Sequence, residues 1–155
     1  MPSPTWASTA AVVTGERRGF HLVQIVGYSR AKELPVGRAL ESCPFMVGGY
    51  CWAIQVLPGG QAPEDADFIS VYFSLLQDVA RPVKVRGEFS FIDEVYRQDP
   101  RHVRARQITE MPSCRSYMGY ARFMSREEFE KSEHLKSDSF TIRLDLIVVE
   151  EGRQQ

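Results

Sequence analysis

Cysteine is scarce in this 155-residue chain, and the little there is does not pair off. Cys43, Cys51 and Cys114 are odd in number and share no metal-ligand spacing. The N-terminal stretch MPSPTWASTAAVV lacks both a basic n-region and a sustained apolar h-region. Together these features point to reduced thiols in the nucleus, the cytoplasm or both. Histidine is equally thin: His21, His102 and His134 stand apart, with no second ligand at helical or hairpin spacing. That speaks against a metal site. No apolar run approaches the roughly 20 residues that cross a bilayer. A formal net charge of −1 argues against general affinity for nucleic acid.

The ingredients of catalysis are missing as well. Gly48-Gly49 and Gly59-Gly60 are turn glycines without the flanking pattern of a phosphate-binding loop. Cys51, beside Trp52, and Cys43, before Pro44, both read as packed or half-buried thiols rather than nucleophiles. Cys114, beside Arg115, is the one thiol placed to be reactive, and no histidine partners it in sequence. Glu127, Glu128 and Glu133 suit a helix start and a solvated face. The chain is therefore expected to be no enzyme and to carry no catalytic residue, cofactor or metal.

What the chain does have is alternation. Hydrophobic content of 43% and charged content of 25% are ordinary for one globular domain. Ile69, Val71, Phe73 and Leu75 alternate with Ser70, Tyr72 and Ser74, a pattern that buries one strand face and exposes the other. Tyr50, Trp52, Ile54 and Val56 repeat it up to the turn Pro58-Gly59-Gly60, and Ile142, Leu144, Leu146 and Val148 repeat it again. Phe20 to Tyr28, Glu41 to Val47 and Val83 to Ile92 are further strands. Ser125-Arg126-Glu127-Glu128 is a capping box opening a short helix near Glu127–Ser132 that buries Phe129. The expected fold is all-β, an antiparallel sandwich.

Charge is unevenly spread. Arg97, Arg101, Arg104, Arg106, Arg115, Arg122 and Arg126 face only Asp99 and Glu110 within their stretch. This is either a solvated loop or a positive rim that prefers acidic or phosphorylated peptides.

An ordered set of short motifs runs from Arg18 to Val149. It comprises Gly27-Tyr28-Ser29, Leu34-Pro35-Val36-Gly37, Gly48-Gly49-Tyr50-Cys51-Trp52 and Ser70-Val71-Tyr72. Gly119-Tyr120 with Phe123, then Leu135 and Asp138, complete it. The set resembles the MATH domain, the meprin and TRAF homology module. Within that family it is most similar to the domain of plant MATH-BTB proteins and of the speckle-type POZ adaptor. The resemblance implies a TRAF-like β-sandwich of roughly seven or eight strands. It divides the chain into a flexible leader (1–17), the MATH domain (18–150) and a tail (151–155) toward an absent C-terminal BTB region.

It also implies a role: binding extended peptide segments of target proteins, transcription factors among them, as the substrate-recognition part of a cullin-3 ubiquitin ligase adaptor. Cullin-3 itself would be reached only through the BTB domain. The other reading is a stand-alone or truncated MATH protein, monomeric by itself, that competes for targets without recruiting a ligase. No nucleic-acid or membrane partner is expected. Carried over onto this chain, the peptide groove takes in Tyr72, Gly87, Tyr117, Met118, Gly119, Tyr120 and Arg122. Tyr72 and Tyr120 stand where relatives have groove aromatics. Met118 stands at a groove tryptophan, Tyr117 at an acidic residue and Gly87 at a phenylalanine. Gly87 either removes a wall or marks a bulge. Met118 is either an adaptable apolar anchor or a half-buried loop residue.

Overall fold

The structure, a computed structural model, describes residues 14–94, 104–105, 109–111 and 116–151. Its strands are β1 (Thr14–Val26), β2 (Leu40–Glu41), β3 (Phe45–Val47), β4 (Tyr50–Leu57), β5 (Phe68–Leu75), β6 (Val83–Phe91), β7 (Arg104–Ala105), β8 (Thr109–Met111), β9 (Tyr117–Ser125) and β10 (Ser139–Glu151). They form two antiparallel sheets. The first has the order β1-β10-β6-β7, with β8 also on β6; the second has the order β2-β4-β5-β9, with β3 also on β4.

The alternating residues meet between the sheets. Trp52, Ile54, Val71, Phe73 and Leu75 from the second sheet face Val85, Phe89, Ile142, Leu144 and Leu146 from the first, and all are buried. Aromatic rings run through the core: Trp52 lies 5.9 Å from Phe73 within the second sheet, and Phe89 of the first sheet lies 6.1 Å from Phe73 and 6.2 Å from Phe123, linking the layers. Such edge-on and tilted pairs add to the gain from area burial alone.

The elements depart from the expected boundaries in several places: β1 ends at Val26 and Tyr28–Ala31 forms a second short helix where a strand end was expected, and β10 runs on to Glu151, into the stretch read as tail. β1 starts at Thr14, because Thr14 to Arg17 continue the ladder against Val148 to Glu151. The last residues of the stretch read as leader thus belong to the sheet; residues 1–13 lie outside the described residues. The Glu41–Val47 strand divides into β2 and β3, with Cys43 and Pro44 between them. Cys43 is consequently exposed and not packed, while Cys51 is half-buried on β4. Cys114 lies outside the described residues.

The helix forms where the capping box places it, over Arg126–Glu130, and the Ser125 hydroxyl accepts the Glu128 amide at 3.1 Å. It stops short of Ser132, whose hydroxyl instead donates to the Phe129 carbonyl at 2.6 Å. Phe129 is fully buried, as the spacing requires.

The Gly27-Tyr28-Ser29 motif and Asp138 turn out to be one clamp. Both Gly27 N and Tyr28 N donate to the Asp138 carbonyl, and the Ser29 amide and hydroxyl donate to the Asp138 carboxylate at 2.9 and 2.7 Å. The buried Tyr28 hydroxyl donates to Glu130 at 2.7 Å. Burial first, and the Glu130 hydrogen bond second, push its pKa from 10.0 up to about 12. The folded state therefore holds this proton more tightly than the unfolded chain. The stability it supplies is complete below the unfolded value and is lost as pH rises toward the folded one. Over that window unfolding should become easier by roughly 2–3 kcal/mol. In Tyr28→Phe, chemical denaturation should lose this pH slope; an unchanged slope would show that Tyr28 is not its source.

Candidate peptide-binding face

β9 ends the order of the second sheet among the described residues. Its register against β5 decides where each candidate residue points. Tyr117 faces Ser74, Met118 faces Phe73, Gly119 faces Tyr72 and Tyr120 faces Val71. Directly opposed residues share a side of the sheet. Phe73 and Val71 belong to the core, so Met118 and Tyr120 turn toward the space between the sheets. Both are half-buried and pack against the core, with the Tyr120 ring 6.5 Å from Phe123. Tyr117 and Gly119 turn to the outer face with Tyr72; Tyr117 is 59% exposed.

The candidate residues thus wrap around one strand. Tyr72, Tyr117 and Gly119 lie on its outer side, and Met118 and Tyr120 lie on its inter-sheet side. This settles the Met118 alternatives in part: it is a half-buried residue, but of a strand and not of a loop.

The outer face differs from expectation at its centre. Ser70 is fully buried and Ser74 is 2% exposed, although polar alternation read both as solvent-facing. Ser70 donates to the Ala121 carbonyl at 2.6 Å, and Ser74 accepts from Gln55 Nε2 at 2.9 Å. Small hydroxyls satisfied in this way can sit inside at little cost.

Gly87 is corrected on the reading that it removes a wall, while the register on the β7–β8 side of β6 shifts by one residue between Val85–Thr109 and Glu88–Ala105. The β6–β10 ladder runs through it without a shift, Leu146 opposite Gly87, so no bulge interrupts that pairing. Nor does it open a wall, because a Cβ there would lie 2.4 Å from the Phe73 ring. The glycine makes room for a core aromatic.

Arg122 sits beyond a register shift between Ile69 and Val71. Its Nε donates to Asp65 at 3.0 Å and its guanidinium to the Glu64 carbonyl at 3.1 Å, while its plane lies 4.8 Å over the Phe68 ring. Asp65 is 8% exposed. Arg122 therefore pins β9 to the 3-10 turn at Pro63–Asp65 and neutralises a buried carboxylate. Arg126 likewise holds the carbonyls of Ala66 and Lys32. Two arginines of the basic stretch are thus committed to structure. The side chains of Arg97, Arg101, Arg104, Arg106 and Arg115 lie outside the described residues.

Gln55, which the motifs did not single out, belongs to the same outer face as the cross-strand partner of Tyr72. Its place opposite Trp52, Ile54 and Val56 in the β4 alternation is the only signal that could have found it.

A family model for the MATH domain matches residues 20–146. The chain belongs to the MATH domain family. Among curated relatives, the chain is 35% identical to BTB/POZ and MATH domain-containing protein 4 of Arabidopsis thaliana, over 96% of this chain and 33% of that protein. It is 34% identical to protein 6 of the same series, over 96% of this chain and 37% of the relative. The MATH chain thus spans about a third of the length of the relatives it matches. Notothenia coriiceps TRAF5 shares the fold, with a TM-score of 0.60 at 15% identity, over 83% of this chain and 72% of that one. MATH and TRAF-like domains are protein-interaction modules, and the family assignment makes this chain one of them.

Proposed function

We propose that this MATH domain captures extended peptide segments of target proteins along β9. In a longer MATH-BTB protein it would serve as the substrate-recognition part of a cullin-3 ubiquitin ligase adaptor, acting in the nucleus or cytoplasm. The observation that carries the capture reading is the two-sided display on the terminal strand. An extended ligand alternates its own side chains between two faces. Laid alongside β9, it can set one row against Met118 and Tyr120 and the other against Tyr117 and Tyr72. Tyrosine suits this work, offering a large rigid surface and a hydroxyl with little entropy to lose. The ligase reading is supported by the BTB/POZ half of the relatives' names.

A display screen of proteome-derived peptides against the purified domain tests the capture reading. Enriched peptides should share a motif, and Tyr117→Ala should weaken them by roughly tenfold, about 1.4 kcal/mol, without lowering the thermal midpoint. Enrichment indifferent to Tyr117, Tyr120 and Tyr72 would move the binding surface elsewhere. Co-purification of cullin-3 with the full-length MATH-BTB protein, and its loss on deleting the BTB region, tests the ligase reading.

A further inference from the structure

β1 ends the order of the first sheet and, among the described residues, pairs with β10 alone. Two sets of bonds near its C-terminal end fix which way its backbone points. Gly27 N donates to the Asp138 carbonyl, and Ser139 exchanges both of its backbone bonds with Lys136. Val26 and Ser139 therefore oppose each other without bonding, and the backbone groups of Ile25, Val23 and His21 point into the ladder with β10. Those of Phe20, Leu22, Gln24 and Val26 point away from the sheet. The side chains of the same four residues share its outer face, with Phe20 54%, Leu22 41% and Val26 74% exposed. β3 reaches β1 from the core side, through the stack of Phe45 on His21 at 4.2 Å and through Val47 beneath Gly19.

Edge strands are usually guarded by proline, a bulge or charge. Phe20 to Val26 reads FHLVQIV, with no proline, glycine, lysine, arginine or carboxylate, and the β1–β10 register runs through it unbroken. Apolar, uncharged segments of this kind pair readily when left at an edge.

We infer that β1 is a self-association edge, on which two copies of this chain pair β1 with β1 antiparallel about Val23 and join their first sheets into one. The register centred on Val23 uses all of Phe20 to Val26 and no charged residue. It sets Phe20 against Val26 of the other copy and Leu22 against Gln24, so each outward N–H meets an outward carbonyl. A slip toward the N-terminus would instead set Arg18 against Val26. Charge complements the ends of the seam. Past Phe20, Arg17 and Arg18 run toward the other copy's Asp138 carboxylate, held there by Ser29, and Glu16 runs toward its Arg30. One strand pair buries less than the ~1,200 Å² of stable complexes, which sets the expected Kd at roughly 100 μM. Such pairing differs from the monomer expected for the domain by itself. It would also put two β9 faces in one particle, a consequence that rests on the capture reading while the pairing does not.

Sedimentation velocity of the chain between about 10 μM and about 1 mM tests the pairing, and the average mass should rise from monomer toward dimer. Gln24→Pro removes an outward N–H and spares the β10 bonds, so it should keep its thermal midpoint and weaken pairing at least tenfold. Leu22→Lys should do the same by placing charge on the seam. If Gln24→Pro fails to fold, Leu22→Lys decides alone, since its side chain is exposed. Amide hydrogen exchange reads the register: Phe20, Leu22, Gln24 and Val26 should exchange freely in dilute solution and become protected as concentration rises.

A monomer throughout the range overturns the inference, as does a dimer that survives in folded Leu22→Lys. Protection of these amides at every concentration would mean that another part of the chain covers the edge, and it overturns self-pairing too. Protection that needs an added extended peptide would make β1 an edge for foreign strands, again in place of a second copy.

Discussion

Trp52→Ala should lower the free energy of unfolding by roughly 3–5 kcal/mol. Trp52 is fully buried on β4, sits 5.9 Å from Phe73 and 6.3 Å from Tyr50, and donates its indole N–H to the Val47 carbonyl at 3.0 Å. Alanine would leave a large void between the sheets and orphan a carbonyl on β3. Native domains are stable by only about 5–15 kcal/mol, so the variant would keep a small remainder. Its thermal midpoint should fall by on the order of 10 °C. A midpoint within a degree or two of wild type would mean that the β4 register, and with it the assignment of Gln55 to the outer face, is wrong.

Gly119→Ala should cost nearly as much, roughly 3 kcal/mol. A Cβ at this position would lie 2.0 Å from the Val71 carbonyl oxygen and 2.7 Å from the Tyr72 Cα. Both are backbone atoms of the neighbouring strand, so no side chain can swing aside to relieve the clash. β9 must move away from β5, and the face that Tyr117 and Tyr72 share must open with it. Gly119→Ala should therefore lose both stability and peptide binding, in contrast to Tyr117→Ala, which should lose binding alone. Equal midpoints for Gly119→Ala and wild type in thermal melts would refute the close approach of the two strands.

The inner face of this fold was legible because a half-buried strand writes its burial as period two. Ile69 to Leu75, Trp52 to Val56 and Ile142 to Val148 all face the core as their alternation requires. Polarity misled where hydroxyls are small and internally satisfied. Ser70 and Ser74 look solvent-facing in sequence, yet the Ala121 carbonyl and Gln55 hold them inside.

The register shift in β9 had no local signature. Ile69 pairs with Met124 and Val71 with Tyr120, so Ser70 alone spans Ala121 to Phe123. Arg122 was consequently grouped with Tyr120, although it points to Asp65 at the far side of the shift. Gly87 was misread for a related reason: the Phe73 ring that demands a glycine there comes from the other sheet. The Tyr28–Ser29–Asp138 clamp was visible as a motif, but its purpose required the distance between residues far apart in sequence.

The central claim is that peptides bind along β9. The most direct measurement is amide chemical-shift mapping of the isotopically labelled domain titrated with a display-selected peptide. Saturable shifts should concentrate at Tyr117 to Ala121 and across the ladder at Tyr72 and Ser74, and Tyr117→Ala should suppress them. Shifts concentrated on the first sheet, with the β9 amides unmoved, would contradict the account.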